Sequence, residues 1–134
     1  MPLISLVMGS KSDEPFIEKC KQILDKLELS YEVRIISAHR EPEKVREYAN
    51  GLKQRDIKVV IAFCGYACHL PGVIASYTDI PVLGVPLPTS PLKGVDSLFS
   101  IVEMPAGVPV ACMGIGEAGG ENAAIFASKM LAIK

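Results

Sequence analysis

Strand-like and helix-like segments alternate along this chain from end to end, and no two strands are joined by a hairpin signal. Leu3 to Met8, apolar but for Ser5, and Lys58 to Cys64, apolar after its first residue, show near-continuous apolar runs, the pattern of strands covered on both faces. Between such runs lie amphipathic stretches. Phe16, Ile17, Cys20, Ile23, Leu24 and Leu27 recur at three and four, with Glu18, Lys19, Lys21, Asp25 and Lys26 on the wet side. Asp13 stands where an N-cap belongs, and Pro15 fits a first helical turn. Tyr31 to Ile36 reads as a second strand, and Pro42 opens a helix carrying Val45, Tyr48, Ala49 and Leu52. After the third strand come a short helix from Pro71 to Ser76 and a strand from Val82 to Pro86. A helix around Ser97 to Val102, a strand from Val108 to Ile115 and a helix from Glu121 to Ile133 complete the order.

Parallel strands need crossover connections, and right-handed crossovers place helices on both faces of the sheet. The expected fold is therefore an α/β three-layer αβα sandwich on a five-stranded parallel sheet, flavodoxin-like or Rossmann-like. A length of 134 residues suits a single domain over the whole chain, 1–134. The net charge of -1 argues against a surface for nucleic acid or membrane, which would need clustered basic residues. The apolar start is short, lacks a basic region and breaks at Gly9, so no signal peptide is expected and the expected location is the cytoplasm. Cys20, Cys64, Cys68 and Cys112 form no C-x-x-C pair and read as buried reduced thiols. Cys64, Cys68 and His69 fit no zinc spacing, so no metal site is expected.

In such sheets ligands bind at the carboxyl ends of the strands, which directs attention to three loops. Gly9-Ser10-Lys11-Ser12-Asp13 is neither a Walker A nor a G-x-G-x-x-G sequence. It does combine a glycine, two hydroxyls and a helix start, the ingredients of a phosphate site or of an ordinary capped turn. Ser37-Ala38-His39-Arg40 pairs the side chain that titrates nearest neutrality with a planar guanidinium fork suited to a phosphate or carboxylate. Gly65-Tyr66-Ala67-Cys68-His69-Leu70 holds the other histidine, for which a structural hydrogen bond within its own loop is the simpler expectation.

The ordered motifs MGSKSD, SAHREP, HLPG, PVLGVP, GVDSL-SIV-MP-GVPVA and IG-AG-NAA, in a match that runs from Leu3 to about Leu131, resemble class I PurE, the N5-carboxyaminoimidazole ribonucleotide mutases of purine biosynthesis. The resemblance implies a flavodoxin-like isomerase, usually a homo-octamer, working on a small ribonucleotide with neither metal nor other cofactor. It implies His39 as general acid/base, with Ser10, Ser37 and Arg40 at the phosphate and Asp13 at the ribose hydroxyls. Ser12, Gly65, His69 and Leu70 fall at the positions around the base and the transient carbon dioxide. SAHR followed by HLPG points to the mutase rather than to class II enzymes, which carboxylate aminoimidazole ribonucleotide directly. That carboxylase, and a nonenzymatic nucleotide-binding relative, are the alternatives. Phe63-Cys64-Gly65-Tyr66-Ala67-Cys68 departs from the Gly/Ala-rich string usual in the family. Tyr66 replaces a glycine there, which is costly if that position has a positive φ. The chain ends at Lys134, where relatives continue into a C-terminal helical extension that reaches neighbouring subunits.

Overall fold

The computed structural model describes residues 1–134. Five parallel strands, β1 (Ile4–Met8), β2 (Tyr31–Ile35), β3 (Val59–Cys64), β4 (Val82–Pro86) and β5 (Ala111–Cys112), form one sheet in the order β2-β1-β3-β4-β5. The helices are α1 (Glu14–Lys26), α2 (Pro42–Asn50), α3 (Leu70–Tyr77), α4 (Val95–Val102) and α5 (Gly116–Leu131). This is the flavodoxin-like strand order, and its direction reverses between β1 and β3.

The central strand β3 shows how the sheet divides the core. Val60, Ala62 and Cys64 enter one apolar cluster with Val45, Leu52 and Ile74 from the α2 and α3 side. Val59, Ile61 and Phe63 enter the other, with Ile17, Leu24 and Ala124 from α1 and α5. Alternate residues of a strand face opposite layers, so a strand buried on both faces must be apolar throughout. Each fully buried large side chain contributes roughly 1.5–3 kcal/mol. Phe63 is the largest of these, and truncation to alanine would cost about 3–5 kcal/mol.

Four details differ from the sequence expectations. β2 is an edge strand, and its Val33 and Ile35 are exposed because α1 covers only the Tyr31 end of that face. β5 shrinks from Val108–Ile115 to two residues: Pro109 has no N–H to pair, and Gly114 turns the chain away at φ 110°. α5 begins at Gly116, ahead of the expected Glu121, because Gly119 and Gly120 are packing residues rather than breakers. A Cβ on Gly119 would collide with the Gly114 carbonyl, and one on Gly120 would crowd the Phe63 ring. Leu27 caps α1 and is exposed, off the buried stripe.

Candidate active site

The loops after β1, β2, β3 and β4 enclose a cavity of about 620 Å³ at the carboxyl edge of the sheet. All nine residues singled out above, Ser10, Ser12, Asp13, Ser37, His39, Arg40, Gly65, His69 and Leu70, line it. They come from three separate loops, and the topology brings them together at the reversal between β1 and β3.

The first loop winds into a 3-10 turn, Lys11–Asp13, before α1. Ser10 caps this turn: its Oγ accepts from the Ser12 N–H at 3.3 Å and lies 2.9 Å from the Ser12 hydroxyl. Asp13 occupies the N-cap position of α1, but its side chain makes no capping bond, contrary to expectation. The preceding turn already organises the entry, and the carboxyl points inward instead, only 4% exposed. Burial pushes its pKa up to about 6, against a smaller downward pull from the Ser10 backbone.

The second loop is pinned by Ser37. Its Oγ accepts from the Arg40 N–H at 3.2 Å, and its carbonyl accepts from the Glu41 N–H at 2.9 Å. That turn leaves His39 and Arg40 exposed. Glu41 is held by Lys44 at 2.5 Å, an ion pair that lowers the Glu41 pKa, and Arg40 makes no ion pair. A guanidinium without an anion is thus presented to the cavity rim.

The third loop departs furthest from expectation. Cys64 and Cys68 are joined in a disulfide with Cα atoms 5.3 Å apart, not held as two reduced thiols. Spacing alone hides this pair, because it becomes bondable only when the strand end doubles back into α3. Cys20 remains a buried thiol whose pKa is pushed up to about 12, and Cys112 is free and half-buried. Between the bridged cysteines Tyr66 has φ 57°, so a bulky ring occupies left-handed backbone at a cost of about 1–2 kcal/mol. Gly65 has no such freedom to spare: a Cβ there would collide with the Thr89 hydroxyl. Thr89, in the proline-rich loop after β4, lines the cavity and escaped the sequence reading. Its only signal is its position just past a strand end.

The His69 side chain does not bond within its own loop. Its Nδ1 lies 2.7 Å from Nε2 of His39, with the rings edge to face at 84° and centroids 4.8 Å apart. One imidazole donates and the other accepts, so the proton on one ring selects the tautomer of the other. The arrangement can hold a proton at a defined place beside an anion-binding guanidinium.

A cavity of about 680 Å³ lies elsewhere, around the starts of β4 and β5. Its charged groups, Lys53 and Asp79, pair with each other at 3.1 Å, and it holds no histidine or cysteine.

Fold and site together define a class: a doubly wound α/β protein with a polar cavity at the topological switch point, equipped for an anionic small molecule and proton transfer. The sequence model of the AIR carboxylase family matches residues 3–134, and the chain belongs to that family. Among its relatives, the N5-carboxyaminoimidazole ribonucleotide mutase of Thermotoga maritima is 50% identical over 134 residues, covering 100% of this chain and 77% of that protein. The Haemophilus influenzae protein of the same name is 51% identical over 129 residues, covering 96% of this chain and 79% of its own. The crystal structure of Treponema denticola PurE superposes with a TM-score of 0.87 at 28% identity, over 98% of this chain and 81% of that one.

Proposed function

We propose that this chain is an N5-carboxyaminoimidazole ribonucleotide mutase, an isomerase of purine biosynthesis that moves a carboxylate from the exocyclic nitrogen to carbon 4 of the imidazole ring. The observation that carries the reading is the His39–His69 pair beside an unpaired Arg40 in one cavity. Arg40, Ser10 and Ser37 take the phosphate, the guanidinium supplying charge-assisted bonds and the hydroxyls completing the oxygen shell. Asp13, ionised above about pH 6, accepts from the ribose hydroxyls. Ser12, Gly65, His69 and Leu70 surround the base.

His39 then works twice. As the nitrogen–carboxyl bond breaks and carbon dioxide leaves, the imidazolium protonates the exocyclic nitrogen. Carbon 4 next attacks the trapped carbon dioxide, and the now neutral imidazole removes the proton from carbon 4. The proton count closes, so one side chain serves both steps. Gly65 lets the third loop close against Thr89, and Leu70 is buried at the start of α3, which limits the space through which carbon dioxide escapes.

The setting of such an enzyme is the cytoplasm, and no helix here is long and apolar enough to cross a membrane. A homo-octamer is the assembly that goes with this reading. Leu92, Val95, Phe99, Val102, Ile125 and Phe126 are large apolar side chains left exposed on and beside α4 and α5, as an assembly interface would require.

The family description favours one competing reading, direct carboxylation of the bare amine. Incubating the protein with each ribonucleotide, with and without bicarbonate, separates the two. Ring carboxylation from the N-carboxylated substrate alone is the expected result. Carboxylation only from the bare amine plus bicarbonate would replace the mutase reading with the carboxylase.

A further inference from the structure

We propose that the Cys64–Cys68 disulfide is a redox-controlled clamp on the substrate cavity, holding Tyr66 and His69 in their binding positions when oxidised and releasing them when a dithiol reduces it. The proposal rests on the mutase reading for the identity of the substrate.

Three observations place the bridge where it controls the site. Cys64 is the last residue of β3, so one end is anchored in the centre of the sheet, with its carbonyl accepting from the Leu87 N–H at 3.0 Å. Cys68 immediately precedes His69, the residue bonded to His39. The residues enclosed by the bridge, Gly65, Tyr66 and Ala67, all line the cavity. The segment has little else to hold it. Its backbone belongs to no helix or strand, and the His69 N–H to Ala67 carbonyl bond at 2.9 Å is its one internal backbone bond. Tyr66 is held in the left-handed region, a conformation its side chain resists. The bridge fixes a loop that would otherwise relax.

The bond borders a groove, and because Cys64 and Cys68 are both buried, a reductant reaches it when the loop opens. Cys68 lines a groove of about 450 Å³ between α3 and α4, together with Gly72, Phe99 and Met104. A thiolate of a small dithiol entering there attacks the Cys68 sulfur and expels Cys64 as a thiolate, which takes up a proton. The second thiolate of the reductant then resolves the mixed disulfide and releases Cys68. Two electrons and two protons pass to the protein, and the reductant leaves as its own disulfide. In a thiol-buffered compartment disulfides are usually transient and redox-sensing, which is the role assigned here.

Reduction frees a five-residue closed loop, a change that chain entropy equates with a population shift of up to about thirtyfold. We expect the KM for the ribonucleotide to rise about tenfold on reduction, with a smaller change in kcat. The test compares the wild-type protein oxidised in air with the same protein after treatment with dithiothreitol. Thiol titration of the denatured oxidised protein should find Cys20 and Cys112 alone, and after reduction all four cysteines. The double variant C64S/C68S should behave as the reduced protein and ignore the reductant. Equal KM in the two states of the wild type, or four free thiols in the oxidised protein, would overturn the clamp. Should neither state turn over a ribonucleotide, the mutase reading fails separately. Calorimetric binding of aminoimidazole ribonucleotide then decides: tighter binding by the oxidised form supports the clamp, and equal or absent binding in both states refutes it.

Discussion

Two carboxyl groups lie inside this fold on either side of β1, and their surroundings could hardly differ more. Glu32, on β2 opposite the amino half of β1, receives the Ser5 hydroxyl at 2.7 Å and the Arg55 guanidinium at 3.2 Å, with Arg34 at 3.5 Å. Ser5 also meets the Tyr48 hydroxyl at 2.6 Å, and Arg55 stacks over the Tyr48 ring, so the Glu32 carboxylate has its counter-charge and hydroxyl partner while Arg55 Nε alone stays buried without a partner. Asp13, past the carboxyl end of β1, is buried where Glu32 is only part-buried, but it has no cationic partner, and its pKa is pushed up to about 6. A charge-paired network holds α2 against the sheet and asks nothing of a ligand. A buried carboxyl without a counter-charge costs stability and persists where something else is meant to complete it. Arg40, turned outward on the same edge with no ion pair, shares that incompleteness.

The comparison can be broken by substitution. Glu32→Gln leaves Arg55 without its counter-charge in a half-buried place and should lower stability by about 1–3 kcal/mol. Chemical denaturation measures the loss, and turnover by the remaining folded protein should stay at the wild-type level. A stability within experimental error of wild type would mean that the network is ornamental.

Asp13→Asn should move stability the other way. Because the folded carboxyl binds its proton more tightly than the unfolded one, ionisation destabilises the wild type as pH rises from about 4 through about 6. The asparagine variant loses that dependence and should be more stable at pH 7 by about 2–3 kcal/mol, with the two curves converging below pH 4. Substrate binding should weaken in the same variant. A gain in stability with unchanged binding would remove Asp13 from the ribose site.

The smallest effect belongs to the larger cavity. Lys53→Ala breaks an ion pair whose side chains are 66% and 91% exposed, and should change stability by less than about 0.5 kcal/mol and ribonucleotide binding not at all. A clear loss of affinity would relocate the site.

Much of this was legible in the residues. Uninterrupted apolar runs such as Val59–Cys64 carry their own placement, since only a strand covered on both faces tolerates them. Val45, Tyr48, Ala49 and Leu52 announce the buried face of α2 by spacing alone. Local rules fail where a partner distant in sequence decides. Gly119 and Gly120 look like a break until Gly114 and Phe63 are seen to need their missing side chains. Thr89 joins the cavity only because β4 lies beside β3. His69 looks self-contained in its loop until His39 arrives from a strand two positions across the sheet. The bridge between Cys64 and Cys68 depends on a chain reversal that spacing does not encode.

The measurement that bears most directly on the account is steady-state turnover of the N-carboxylated ribonucleotide by His39→Asn, set beside calorimetric binding of the carboxylated product. Asparagine keeps a hydrogen-bonding group near His69 and removes the movable proton. Turnover should fall by about 10²–10⁴-fold or more, with affinity for the product nearly unchanged. A variant that turns over at the wild-type rate would contradict the account, because the proton would then be carried by some other group.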